Sequence, residues 1–267
     1  MVARRLWAIM SAAGDGVGFT PRRVESVLMR KILWRLVNLL QFGVLLIWTL
    51  WWIVVALLVF LVTGNRRRSL AVARRIWGPG ALALLGGKLE VAGQHRFDFS
   101  QAHLVAANHE SLIDIPTLFA ALPTGLRFLA KKELKQIPFI GWYATAMGMV
   151  YVDRHDPDRA AESIDRVAGL LDQAESLVSF PEGTRSRSGE VEPFKTGVFF
   201  AAIKAGVPVV PVAISGAAQV LPPDGLRFRP GKIRVVIGRP IPTASLSLED
   251  RRQLADKVRE KIIELRS

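Results

Sequence analysis

Cysteine is absent from the 267-residue chain, which excludes disulfides, a thiolate nucleophile and cysteine-ligated zinc. Any nucleophile must come from a serine or threonine or from the substrate. Histidine is scarce, with four in the chain, and no His/Asp/Glu cluster has metal-ligand spacing, so no metal is expected. Acidic residues are almost missing from the first third. Residues 1–88 hold 13 Lys/Arg against Asp15 and Glu25, which puts +11 of the formal net charge of +13 there and +2 in the remainder. A nucleic-acid groove would draw on the folded domain, so this distribution points instead to an anionic membrane surface. Charge of either sign is lacking from Leu36 to Asn65, about 30 residues, enough to cross a bilayer core of about 30 Å. No Gly-x-Ser-x-Gly elbow occurs, which argues against a serine lipid hydrolase.

The apolar segment is flanked by Arg22, Arg23, Arg30, Lys31 and Arg35 on one side and by Arg66, Arg67, Arg68, Arg74 and Arg75 on the other. Balanced flanks leave orientation undecided by the positive-inside rule, and Trp48, Trp51 and Trp52 sit in the middle of the segment rather than at its ends. A single span and a re-entrant or in-plane segment both fit. Ahead of it, Met1 to Gly18 carries too short an apolar run for a signal peptide and reads as an interfacial anchor or a disordered tail.

Ser69 to Leu85 reads as a further basic helix, stopped by Gly86-Gly87. Short strands then alternate with helices. Strands are predicted at Lys88–Val91, His103–Ala107, Leu126–Ala130, Met149–Val152, Leu177–Phe180, Val209–Ile214 and Ile233–Ile237. Helices are predicted at Asp114–Ala121, Ile140–Met147, Asp158–Ala174, Thr196–Ala205 and Leu248–Leu265, the last after a Ser247/Asp250 capping box. The alternation predicts an α/β fold with a mixed, mostly parallel central sheet flanked by helices. Two parts are expected: residues 1–86 as membrane-anchoring helices and residues 87–267 as the α/β domain.

The chemistry centres on Asn108-His109-Glu110-Ser111-Leu112-Ile113-Asp114. Residues five apart on one helix point about 140° away from each other, so His109 and Asp114 can meet only if the chain turns between them. A strand ending near Ala107, a turn carrying His109 and a helix capped by Asp114, with Pro116 in its first turn, would allow it. Asp114 would then fix the imidazole tautomer and leave the other ring nitrogen to take a proton from a hydroxyl. Spacing alone favours the plainer reading, Asp114 as a helix cap and His109 as a satisfied turn residue. A second constellation, Phe180-Pro181-Glu182-Gly183-Thr184-Arg185-Ser186, follows a strand. Arg185 can grip a phosphate, with Thr184 and Ser186 adding hydroxyls. Glu182 would repel that phosphate and is expected to orient an arginine or bind a substrate hydroxyl. Ala130-Lys131-Lys132-Glu133-Leu134, followed by Ile137-Pro138-Phe139-Ile140-Gly141, is a third, and Val207-Pro208-Val209-Val210-Pro211-Val212 a fourth.

In this order the four resemble the glycerophospholipid acyltransferase family, in particular its bacterial 1-acyl-glycerol-3-phosphate acyltransferases, from about Gly87 to Gly238. The family's Asn-His-x4-Asp pattern is matched by Asn108, His109 and Asp114, and its phosphate-binding motif by Phe180 to Arg185. Lys131 or Lys132 falls on a further motif, and Tyr151-Val152-Asp153-Arg154 resembles the strand after it. The resemblance implies the glycerolipid acyltransferase fold, with His109 and Asp114 catalytic and Lys131, Lys132, Glu182, Gly183, Thr184 and Arg185 binding substrate. It implies direct transfer of an acyl group from acyl-CoA or acyl carrier protein to the sn-2 hydroxyl of lysophosphatidate, giving phosphatidic acid with no acyl-enzyme, cofactor or metal. A bacterial inner membrane with the catalytic domain on its cytoplasmic side is implied as well. A different lysolipid acceptor, such as a lyso-ornithine lipid, and a hydrolase using Ser111 are the alternatives.

Overall fold

The structure, a computed structural model, describes residues 21–96, 98, 101–153, 157–172 and 176–267. The expectations for Met1–Gly18, Arg154 and His155 lie outside them. Helix α1, Pro21–Thr63, starts on a proline, whose missing N–H costs nothing at a first helical position. It ends where Gly64 adopts φ +61 and donates its N–H to the Phe60 carbonyl at 2.8 Å. Asn65 then caps α2, Arg66–Val72, by accepting from the N–H groups of Arg67 and Arg68. A π-helical turn, Ala73–Trp77, joins α2 to α3, Gly78–Leu84. The predicted helix from Ser69 therefore begins three residues early, on a cap the apolar pattern does not show.

All seven predicted strands form: β1 Gly87–Ala92, β2 Leu104–Ala107, β3 Arg127–Lys131, β4 Val150–Val152, β5 Leu177–Ser179, β6 Val209–Ser215 and β7 Gly231–Ile237. They make one sheet in the order β1-β7-β6-β2-β5-β3-β4. Every pair is parallel except β6 with β7. The remaining helices are α4 Asp114–Ala121, α5 Ile140–Ala146, α6 Pro157–Asp172, α7 Gly197–Lys204, α8 Ala217–Val220 and α9 Arg251–Arg266. The Ser247/Asp250 capping box is present ahead of α9, around a 3-10 turn.

One face of the sheet is covered through Leu70, Leu82, Leu118, Phe119 and Met147, the other through Val167, Phe199, Ala202 and Val258. Leu70, Ala73, Leu82 and Leu85 belong to the first of these cores. The change of pattern at Gly86 thus marks a change of element type and not a gap between two separate cores.

Helix α1 is docked along this body. The Phe228 N–H donates to the Asn38 side chain at 3.1 Å. The Trp48 Nε1–H donates to the Trp77 carbonyl at 3.2 Å, and the Trp77 Nε1–H to the Thr49 hydroxyl at 3.2 Å. The Trp48 ring lies so close over Gly80 that a Cβ there would clash with it. This docking accounts for Trp48, which also meets Trp52 edge-on at 5.5 Å, and leaves Trp51 outside it, exposed. The opposite face is open: Leu39, Leu40, Ile47, Trp51, Leu61 and Val62 are exposed. Over Ile32–Thr63 the mean hydropathy reaches 2.8 with 11% of that window buried, long and apolar enough to cross a membrane.

Candidate active site

Three parallel neighbours, β2, β5 and β3, deliver their C-terminal ends side by side. His109 follows β2, Phe180–Arg185 follows β5 and Lys131 ends β3. With strands about 4.8 Å apart, the three constellations converge on one edge, where ligands bind in α/β sheets.

The chain turns sharply after β2. The buried Asn108 side chain exchanges two hydrogen bonds with the Ile214 backbone, at 2.9 and 2.7 Å, and so continues the β2–β6 pairing one residue past the strand. His109 comes next, and its Nδ1 lies 2.8 Å from Asp114 Oδ2. The same oxygen accepts the backbone N–H groups of Glu110 and Ser111 at 2.8 and 2.9 Å. Asp114 was expected to cap its own helix, and this is corrected: Ile113 occupies the N-cap position, and Asp114 is the first helical residue with its carboxylate turned back onto the preceding turn. Pro116, with no N–H, leaves one fewer donor in that first turn to satisfy.

Asp114 is fully buried, whereas the His109 side chain is 14% exposed. With Nδ1 on the carboxylate, Nε2 is the ring nitrogen left to face a substrate. The imidazole stacks on Phe180, ring centroids 4.1 Å and 16° apart, so the residue opening the second constellation sets the plane of the imidazole. The His109 N–H donates to Glu182 Oε1 at 2.6 Å and its carbonyl accepts the Ser186 N–H at 2.8 Å. Both backbone groups of His109 are therefore held by the Glu182–Ser186 loop.

These contacts give Glu182 different work from that expected of it. It is buried, and its second oxygen accepts the Glu192 N–H at 3.0 Å. Among the described residues neither oxygen has an arginine partner. Burial pushes its carboxyl above the ordinary range, opposed by the two N–H donors. Glu182→Gln keeps the shape but sets an amide NH2 against one backbone N–H. The expected loss is about 1–3 kcal/mol in denaturant unfolding, with slower turnover and an unchanged acceptor KM. A raised KM with full stability would restore the substrate-hydroxyl role.

The other expected residues fall as follows. Gly183 has φ +78, and Lys195 packs where its Cβ would be, with Cε at 3.0 Å and Nζ at 3.2 Å. Thr184 is exposed. Ser186 is buried, and its Oγ accepts the Gly189 N–H at 3.1 Å, so it shapes the loop. Arg185 donates from Nη1 to the Pro223 carbonyl at 2.8 Å, which leaves further donors of its fork for a ligand. Lys131 is half exposed and only loosely paired, 3.6 Å from Glu133. Lys132 is committed to the buried Asp153 at 2.6 Å, so Lys131 is the more available cation. Ser111 is fully buried and donates to the Leu221 carbonyl at 2.6 Å, which removes it as a nucleophile. Among the described residues no three His, Asp or Glu side chains gather as a metal site.

Two contributors were not assigned a role from sequence. Phe180 was legible only as a motif letter, and Lys195, in Pro193-Phe194-Lys195-Thr196-Gly197, is brought over Gly183 by a contact across the loop that no local pattern announces.

Comparison with known proteins is decisive at this point. A family model described as Acyltransferase matches residues 88–215, which include both loops of the site. The human 1-acyl-sn-glycerol-3-phosphate acyltransferase alpha is 33% identical over 217 residues, 81% of this chain and 76% of that protein. The chain belongs to the glycerophospholipid acyltransferase family. A chloroplastic 1-acyl-sn-glycerol-3-phosphate acyltransferase of Brassica napus is 32% identical over 222 residues, 79% of this chain, which spans 62% of that relative's length. Among solved structures, the 1-acyl-sn-glycerophosphate acyltransferase of Thermotoga maritima superposes with a TM-score of 0.75 at 28% identity, covering 89% of this chain and 98% of that one. The His109–Asp114 pair lies within the matched residues.

Proposed function

We propose that this acyltransferase moves a fatty acyl group from an acyl thioester, acyl-CoA or acyl carrier protein, to the sn-2 hydroxyl of 1-acyl-glycerol-3-phosphate, giving phosphatidic acid. The observation that carries it is the His109 Nδ1 to Asp114 Oδ2 bond of 2.8 Å beside the Arg185 loop, on a chain whose relatives are named for this reaction. His109 Nε2 takes the acceptor's hydroxyl proton as its oxygen bonds to the thioester carbonyl carbon, and Asp114 stabilises the imidazolium. The C–S bond then breaks, the carbonyl re-forms, and the proton passes to the departing thiolate. The buried Ser111 hydroxyl, bonded to the Leu221 carbonyl, supports a route without an acyl-enzyme on that serine. Arg185, with Lys131 and the exposed Lys195 nearby in the same edge and loop, holds the 3-phosphate and so fixes the reach from anchor to hydroxyl.

The acceptor's acyl chain stays in lipid. The outward apolar face of α1 supports this, as do Ile137, Phe139 and Trp142, exposed around the start of α5, which packs on α1. We place α1 in a bacterial cytoplasmic membrane with the α/β domain on the cytoplasmic side, where both thioester donors are made.

Arg185→Ala tests the phosphate assignment. Loss of a charge-assisted contact worth about 1.5–3 kcal/mol raises the lysophosphatidate KM by about ten- to a hundredfold, with a smaller effect on an acceptor lacking phosphate. Equal KM values for wild type and variant would remove Arg185 from the phosphate site.

A further inference from the structure

The C-terminal helix α9 carries arginines at positions 252, 259 and 266, one every seven residues. Seven residues is just under two turns, so the three side chains form a row along one face, rungs about 10 Å apart. All three reach one strip of chain, residues 189–194, which lies outside any helix or strand and has carbonyls with no ladder partner. Arg252 Nη1 donates to the Phe194 carbonyl at 3.2 Å. Arg259 Nε donates to the carbonyls of Val191 and Glu192 at 3.0 and 3.1 Å. Arg266 Nη1 donates to the Gly189 carbonyl at 2.9 Å. Helix and strip run in opposite directions, and the strip is tied back to the Arg185 loop through the Gly189–Ser186 and Glu192–Glu182 bonds.

The last rung makes a second contact that the other two do not. Arg266 Nη2 lies 3.1 Å from Glu110 Oε2, with side-chain exposures of 22% and 6%. Glu110 is the residue after the base. Its other oxygen accepts the N–H groups of Ala217 and Ala218 at 2.7 and 3.2 Å, and its own N–H donates to Asp114. One guanidinium therefore bridges the turn that carries His109 and the strip that follows Arg185.

We propose that Arg266 is a positioning residue that sets the distance between His109 and Arg185, by holding Glu110 and Gly189 in one planar fork, while Arg259 and Arg252 fasten the strip to the helix. An arginine is needed because its donors diverge in fixed directions, whereas an ammonium is a single point of charge. Truncating it also leaves the buried Glu110 carboxylate without its cation. This inference rests on the reading of a phosphate-anchored acceptor.

The test compares Arg266→Met, Arg266→Lys and Arg252→Met in the full chain. It measures kcat and KM with lysophosphatidate and with 1-monoacylglycerol, alongside the thermal midpoint. Arg266→Met is expected to lower kcat/KM for lysophosphatidate by about ten- to a hundredfold, the scale of a misplacement near 1 Å, and to do so several-fold less for monoacylglycerol, which has no phosphate to be placed. Arg266→Lys should fall between, and Arg252→Met should lower the midpoint with about threefold or less change in either acceptor. Equal losses on both acceptors, equal effects of Arg266→Met and Arg252→Met, or wild-type values for Arg266→Lys would overturn the proposal. If the wild type prefers a phosphate-free lysolipid, the acceptor reading fails separately. The clamp is then judged by kcat on that lipid, and equal kcat in Arg266→Met and Arg252→Met sinks it.

Discussion

Replacing His109 by alanine is expected to lower kcat for acyl transfer by about 10²–10⁴-fold, the range general-base catalysis contributes. The hydroxyl of a lysolipid is a weak nucleophile, and the site offers one imidazole whose second nitrogen is fixed on a buried carboxylate. The substitution should spare the fold. The backbone of residue 109 stays anchored by Glu182 and Ser186, and Asp114 keeps the N–H groups of Glu110 and Ser111. A melting temperature near wild type together with collapsed transfer of labelled acyl groups is the predicted pair of results. Transfer at the wild-type rate would remove His109 from the mechanism.

Asp114→Asn separates charge from shape at the carboxylate beside His109. Asp114 Oδ2 collects three donors, while Oδ1 is buried with no hydrogen-bond partner among the described residues. Asparagine can turn its carbonyl to the three donors and place its NH2 where Oδ1 stands, so the loop geometry is kept. The charge that stabilises an imidazolium is lost, and kcat should fall on the order of 10³-fold with little change in acceptor KM. Asp114→Ala, by contrast, strips two backbone donors and the imidazole at once and should also destabilise the fold by about 2–5 kcal/mol. A fully active Asp114→Asn would return Asp114 to the role of a structural tie, the alternative that spacing alone leaves open.

The sheet was legible because strands buried on both faces, β2, β5 and β6, are short apolar runs bounded by turn residues, while β1 and the first half of β7 alternate exposed with less exposed residues. The turn between His109 and Asp114 was legible from their spacing, but their reading as a pair came from the family motif, since spacing alone favours a plain cap and a turn histidine. What failed to show were relations carried by distant chain. Asp114's backward reach depends on which residue becomes the N-cap. The work of Glu182 depends on where His109 and Glu192 present their N–H groups. Trp48 looks misplaced for a membrane anchor until Gly80 and Trp77 are beneath it. The row of Arg252, Arg259 and Arg266 reads as a solvated helix face, since a seven-residue repeat of arginine says nothing about the carbonyls opposite it.

On the proposed reading, a phosphate-anchored lysolipid hydroxyl is acylated by the His109–Asp114 pair. The most direct measurement supplies the purified chain in lipid with labelled acyl-CoA and compares initial rates on lysophosphatidate and on 1-monoacylglycerol, which differ by the phosphate. Phosphatidic acid should form with a kcat/KM for lysophosphatidate at least about tenfold above that for the phosphate-free acceptor. Equal or faster acylation of 1-monoacylglycerol would contradict the account.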